Sequence, residues 1–121
     1  MISLVLSVGR DTTLLALRNL LLAQSGYKVV SANAHVDFVH KLFDVDFDAV
    51  VFCHSIPAAD RQRMAALVRR YRPSAKVIAL EDFADRGCSF ADATVVGDSY
   101  DLISALDRFK APAARGHNQA A

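Results

Sequence analysis

The 121-residue chain contains little of what identifies several common classes of protein. Its two cysteines, Cys53 and Cys88, are too few for a disulfide framework, so we expect two free thiols in a reducing cytosol. Its 14 basic and 13 acidic residues leave a net charge of +1, which provides no general attraction for nucleic acid. No run reaches the roughly 18 apolar residues that a membrane span needs, so no membrane partner is expected.

The N-terminus is apolar but has neither a basic leader nor a small-residue cleavage site, which favours a first β-strand over a signal peptide. A hydrophobic fraction of 53% is typical of a globular domain, and the length suits one core. We expect one domain over residues 1–110. Residues 111–121, rich in alanine and polar side chains, predict a disordered tail.

Strands and helices alternate along the sequence. Short apolar runs predict strands at 2–8, 27–30, 47–52, 76–80 and 94–96. Helical spacing predicts helices between and after them, the first with an apolar stripe of Leu14, Leu17 and Leu21. This order implies right-handed crossovers and a three-layer α/β fold, a doubly wound five-stranded parallel sheet in the order 2-1-3-4-5. The polar stretch 81–90 leaves room only for a shortened fourth helix.

The apolar run at 47–52 ends abruptly in Cys53, His54 and Ser55, with Pro57 beyond. Such a run suits a central strand that is buried on both faces. Because open α/β sheets build their sites at the carboxyl ends of such strands, we expect any chemistry to lie in this loop.

The sequence resembles the receiver domain of bacterial response regulators over about residues 2–110. The features that carry the resemblance are a leucine-rich first helix ending in Gly26-Tyr27, the strand Asp48–Phe52 followed by Ile56-Pro57, the strand Val77–Leu80, and Tyr100-Asp101-Leu102 at the start of the last helix. The resemblance implies a flavodoxin-like, cytoplasmic, bacterial signalling module of a two-component phosphorelay. In the family, an aspartate accepts a phosphoryl group beside Mg²⁺, which an acidic pair holds.

The resemblance places Cys53 where the family has its aspartate nucleophile. The acidic pair is replaced by Gly9 and Arg10, with Asp11 as the one acid nearby and suited to capping the next helix. Since Arg10 would repel Mg²⁺, we expect no metal and no cofactor at this pocket.

Glu81 occupies the position of the family's Thr/Ser, and Asp98 that of its Lys. A carboxylate at position 81 would repel a phosphoryl group, so the chain resembles the phosphorylation-independent pseudo-receivers. One hypothesis is that Arg10 pairs with Glu81 or Asp98 and locks this degenerate pocket in one state. The alternative is that these charges are solvated at the ends of loops.

Two further hypotheses concern a reactive cysteine and a group of basic side chains. Cys53 beside His54 suggests a small thiol-dependent enzyme or redox switch, although a cysteine ending a buried strand is usually a small hydrophobe. The histidine spacings match no metal motif. The arginines of the third helix are interpreted as a solvated face, with nucleic acid an unlikely partner; they are Arg61, Arg63, Arg69 and Arg70.

The expected activity is non-catalytic and acts through a protein partner, such as an unknown regulator or a kinase-like protein. Phe83, Phe90 and Tyr100 are candidates for an interaction face, which would also suit a homodimer. Alternatively, Phe83 and Phe90 fold into the core. The chain could also be the receiver part of a longer transcriptional regulator.

Overall fold

A computed structural model describes residues 3–33, 35–81, 90–96 and 101–109. In chain order the elements are β1 (Leu4–Val8), α1 (Thr12–Gln24), β2 (Lys28–Ala32), α2 (His35–Asp44), β3 (Ala49–Phe52), α3 (Ala58–Tyr71), β4 (Lys76–Glu81) and β5 (Ala93–Val96). A last helix covers residues 101–109. The five strands form one parallel sheet in the order β2-β1-β3-β4-β5, which confirms the predicted fold and strand order.

The sheet is covered by helices on both faces. Alternate residues of each strand point to opposite sides, so Leu6 and Val50 pack with α2 and α3, whereas Val5 and Val51 pack with α1 and the last helix. All four residues of β3 are buried, as the continuous apolar run predicts for a central parallel strand.

Helix α1 begins and ends at residues whose chemistry suits those positions. The Asp11 carboxylate accepts hydrogen bonds from the backbone N–H groups of Thr13 and Leu14, at 3.0 and 3.1 Å. This N-cap satisfies two donors that have no partner inside the helix. At the other end Gly26 has φ +96°, a left-handed conformation that glycine adopts without a Cβ clash.

The exposure of α1 corrects the predicted apolar stripe. Leu15 and Leu22 face the core, while Leu17 is 55% exposed and Leu14 is 38% exposed. Because the helix carries leucine on most of its circumference, helical spacing alone did not identify the buried side. The predicted short fourth helix and the tail over 111–121 lie outside the described residues.

Candidate functional site

The loop after β1 is fixed by main-chain contacts at the carboxyl edge of the sheet. The Gly9 N–H donates to the Ala32 carbonyl at 3.2 Å, and the Arg10 N–H donates to Ser55 Oγ at 3.2 Å. A Cβ on Gly9 would lie 3.2 Å from the Cβ of Cys53, so a larger residue would push against the loop after β3. Gly9 therefore lets these two loops pack closely.

Cys53 is buried next to that glycine, with 1% of its surface exposed. Its N–H donates to the Val8 carbonyl at 2.9 Å and continues the β1–β3 pairing. Burial acts to raise the pKa of the thiol. Hydrogen bonds from Ser55 and the nearby Arg18 guanidinium outweigh burial, so the pKa lies below its ordinary value.

Glu81 ends β4 and forms a buried ion pair with Arg61 of α3. Arg61 Nη1 lies 3.0 Å from Glu81 Oε2, and each side chain is 4% exposed. The same Nη1 donates to the Leu80 carbonyl at 3.0 Å. The arginine thus anchors α3 to the end of the central sheet through two oxygens.

This pair corrects two sequence-based interpretations. Within the described part of the chain, the arginine on Glu81 is Arg61, whereas Arg10 is exposed and forms no ion pair with that carboxylate. Arg61 was assigned to a solvated face but is buried, because its guanidinium extends over the sheet edge to a carboxylate. Asp98, the other predicted partner of Arg10, lies outside the described residues.

The remaining arginines of α3 are exposed, and most of their charge is matched locally. Arg63 pairs with Asp60 one turn earlier. Arg69 binds Asp92 at 3.0 Å and also donates to the Phe90 carbonyl at 3.1 Å. Such contacts reduce the net positive field of this helix face.

The predicted interaction face is only partly described. Phe90 is half-buried and packs against the core beside α3, which favours the interpretation that it folds inward. Phe83 and Tyr100 lie outside the described residues. Exposed apolar surface occurs instead on α1, where Leu17 and Leu20 are each 55% exposed.

Neither a metal nor a membrane site emerges from the part of the chain that the structure describes. No group of three or more His, Cys, Asp or Glu side chains there is arranged to hold a metal ion. No helix in the described ranges is long and apolar enough to cross a bilayer.

Sequence reasoning missed Arg18 beside Cys53, the burial of Arg61 and the exposed leucines of α1. The composition of α1 could have indicated that some of its leucines are exposed. Helix α1 has a single charged residue, Arg18, although a surface helix normally carries several on its outer face. No pattern in the sequence indicated which arginine of α3 would reach Glu81.

No family model matches the sequence, and no curated protein matches it. Solved structures do share the fold, and these neighbours are response-regulator receiver domains of the CheY type. The chemotaxis response regulator CheY4 of Vibrio cholerae is 18% identical, with a TM-score of 0.76 over 89% of this chain and 98% of that one.

Two other neighbours add context. The Thermotoga maritima response regulator TrrA, solved in complex with the histidine kinase ThkA, is 21% identical, with a TM-score of 0.73 over 89% of this chain and 96% of that one. The signal receiver domain of an HD domain-containing protein from Pseudomonas fluorescens Pf-5 is 18% identical, with a TM-score of 0.75 over 100% of both chains. The chain therefore shares the CheY-like α/β fold of these structures.

Proposed function

We propose that this chain is a receiver-like signalling module whose output does not depend on aspartyl phosphorylation. The observation that supports this most is the buried ion pair between Arg61 and Glu81. By the resemblance to receivers, Glu81 stands where a hydroxyl would contact the phosphoryl group. An ionised carboxylate paired with an arginine has no proton to donate to a phosphoryl oxygen, so it cannot replace that hydroxyl.

The rest of the pocket supports the same proposal. The resemblance implies that Cys53 occupies the position of the nucleophilic carboxylate, and this thiol is almost fully buried. The carboxylate of Asp11 is engaged at the N-cap of α1, and Arg10 precedes it. A site for Mg²⁺ needs hard oxygen ligands, and a neighbouring guanidinium opposes a divalent cation.

The test is titration with Mg²⁺ and beryllofluoride, followed by amide chemical shifts. We expect no saturable shift at Cys53 or Glu81, neither of which lines the neighbouring Arg10 cleft, whereas a receiver with the acidic pair and aspartate should respond under the same conditions. Incubation with acetyl phosphate should leave the intact mass unchanged. Saturable shifts at these residues, or a covalent phosphate, would refute phosphorylation independence.

We further propose that the module acts in the cytoplasm through a protein partner and has no catalytic activity. The TrrA structure contains a histidine kinase, so a receiver of this fold can bind a kinase-like protein. The exposed leucines of α1 provide apolar surface for such a contact. A homodimer through the same helix is the competing arrangement, and the two differ in the mass of the isolated chain in solution.

A second candidate function is a thiol switch at Cys53. The lowered pKa of its thiol, to which Arg18 contributes, favours the reactive thiolate. Its 1% exposure opposes reaction with anything larger than a small molecule, so we place this function second.

A further inference from the structure

A cleft of about 200 Å³ opens at the carboxyl edge of the sheet, on the side of α3. Its apolar lining comes from Val8, Ile56 and Met64, which are 3%, 4% and 3% exposed. The cleft lies between the loop after β1, the end of β2 and the first turns of α3. It is separate from the Arg61–Glu81 pair, because neither of those residues lines it.

The polar lining of the cleft is mainly cationic. Arg10 approaches from the loop after β1 and Arg63 from α3, while Asn33 adds an amide from the end of β2. Among the described residues of the lining Asp60 is the one carboxylate, so their side chains sum to one net positive charge. Two arginines on different elements line one small volume, and arginine is the side chain best suited to bind phosphate.

The Arg63–Asp60 pair does not prevent an anion from binding. Its side chains are 69% and 32% exposed, and solvent-exposed pairs of this kind are weak. An entering anion can therefore take one face of Arg63 while Asp60 stays on the other. Within the described ranges, Arg10 has no carboxylate within ion-pair distance.

The start of α3 adds a second source of positive potential. Pro57 occupies the N-cap position and makes no side-chain hydrogen bond to the first turn. Ile56 and Asp60, on either side of this N-terminus, both line the cleft. The N–H groups of the first turn and the helix dipole favour a negative charge there, which Asp60 in that turn already supplies in part.

We propose that this cleft is a binding site for a small organic phosphate monoester. The phosphate would bind between Arg10, Arg63 and the start of α3, and its apolar body would contact Val8, Ile56 and Met64. Binding is non-covalent and requires no metal. The inference goes beyond the signalling role and does not rest on it, since the cleft would bind its ligand whether or not a protein partner exists.

The experiment is an amide chemical-shift titration with three probes: phenyl phosphate, inorganic phosphate and phenol. We expect saturable shifts at Arg10, Asn33, Asp60 and Arg63. Phenyl phosphate should bind more tightly than inorganic phosphate, because its ring also contacts the apolar lining of Val8, Ile56 and Met64. Phenol should not bind measurably.

Two variants test the assignment of the arginines. Arg10→Ala and Arg63→Ala should each weaken phenyl phosphate binding about tenfold, which corresponds to one charge-assisted hydrogen bond. Arg70→Ala is the matched control, because Arg70 lies on the same helix but stacks on the Tyr71 ring, outside the cleft. Circular dichroism checks that all variants are folded.

Equal weakening in all three variants would mean that only net charge matters and would overturn the site. Shifts that stay linear at millimolar phosphate, or that map away from the cleft, would overturn it as well. If inorganic phosphate binds as tightly as phenyl phosphate, the apolar lining of the cleft does not contribute to binding, and that part of the proposal is wrong.

Discussion

Arg61 and Glu81 form a buried ion pair, 3.0 Å from Nη1 to Oε2, between the first turn of α3 and the last residue of β4. Nη1 also donates to the Leu80 carbonyl, so one guanidinium nitrogen serves two oxygens. Arg61 Nε is buried and, among the described residues, has no hydrogen-bond partner. The pair fixes the position of α3 against the sheet at the edge where the candidate site lies.

Removing Arg61 from this pair should lower the stability of the fold. Arg61→Ala removes the cation that contacts Glu81 within the described residues, and we expect a loss of about 3–5 kcal/mol in the free energy of unfolding. Arg63→Ala removes an exposed arginine two positions further along α3. It should lower the free energy of unfolding by no more than about 1 kcal/mol. Urea denaturation of both variants measures the difference.

The double variant Arg61→Met/Glu81→Leu tests whether the stability lost in Arg61→Ala comes from the buried charge of Glu81. Apolar side chains of similar size remove both buried charges, so most of the stability lost in Arg61→Ala should return. If the double variant is as unstable as Arg61→Ala, the loss comes from packing of the arginine stem and not from an unpaired charge.

Asp48 should make the fold sensitive to acid. Its Oδ2 accepts from the backbone N–H groups of Ser3 and Leu4, each at 3.0 Å, and ties the start of β1 to β3. Burial acts to raise the pKa of Asp48, but these hydrogen bonds outweigh it and the pKa is lowered in the folded protein. The resulting stability is therefore present above the unfolded-state pKa of about 3.9 and is lost as the pH falls through the folded-state value.

The variant Asp48→Asn tests this dependence. It should lower the free energy of unfolding at neutral pH by about 1–3 kcal/mol, because a charged acceptor of three hydrogen bonds is lost. The difference from the unmodified protein should shrink toward zero in acid, below the folded-state pKa. Asp44→Asn, at an exposed position at the end of α2, is the matched control and should change the free energy of unfolding at neutral pH by less than about 0.5 kcal/mol. A difference that is constant with pH would contradict the assignment.

The thiol of Cys53 should ionise readily but react slowly. In a Cys88→Ser background, we expect the pKa of Cys53, followed by the ultraviolet absorbance of the thiolate, to lie below its ordinary value and to rise in Arg18→Ala. Iodoacetamide should alkylate the native protein much more slowly than the urea-unfolded chain, because the side chain is buried. Rapid alkylation of the folded protein would instead favour the thiol switch.

Substitutions on the outer face of α1 should change the association of the chain and leave its stability almost unchanged. Leu17→Glu and Leu20→Glu replace side chains that are each 55% exposed, so the free energy of unfolding should change by less than about 0.5 kcal/mol. If the isolated chain is dimeric through this face, sedimentation should show monomers for both variants. Val36→Glu, on α2 and 67% exposed, is the control. A dimer that survives both leucine changes places the contact elsewhere.

Much of the fold could be predicted from local patterns. The buried run at β3, the cap at Asp11 and the turn at Gly26 depend on neighbouring residues, so their chemistry is visible in the sequence. The strand order followed from the alternation of strands and helices together with the handedness of crossovers. The position of Cys53 at the carboxyl edge followed from the same reasoning.

The contacts of the candidate site could not be predicted in the same way. Four arginines of α3 are separated by one to nine positions, and only their distance from β4 in space decides that Arg61 reaches Glu81. The inward side of α1 was also ambiguous, because leucines surround most of that helix. The sequence alone therefore determined the elements and their order, through periodicity and capping that act over a few residues. Only the tertiary structure decided which charges meet and which leucines stay exposed, because those outcomes depend on distances between residues far apart in the chain.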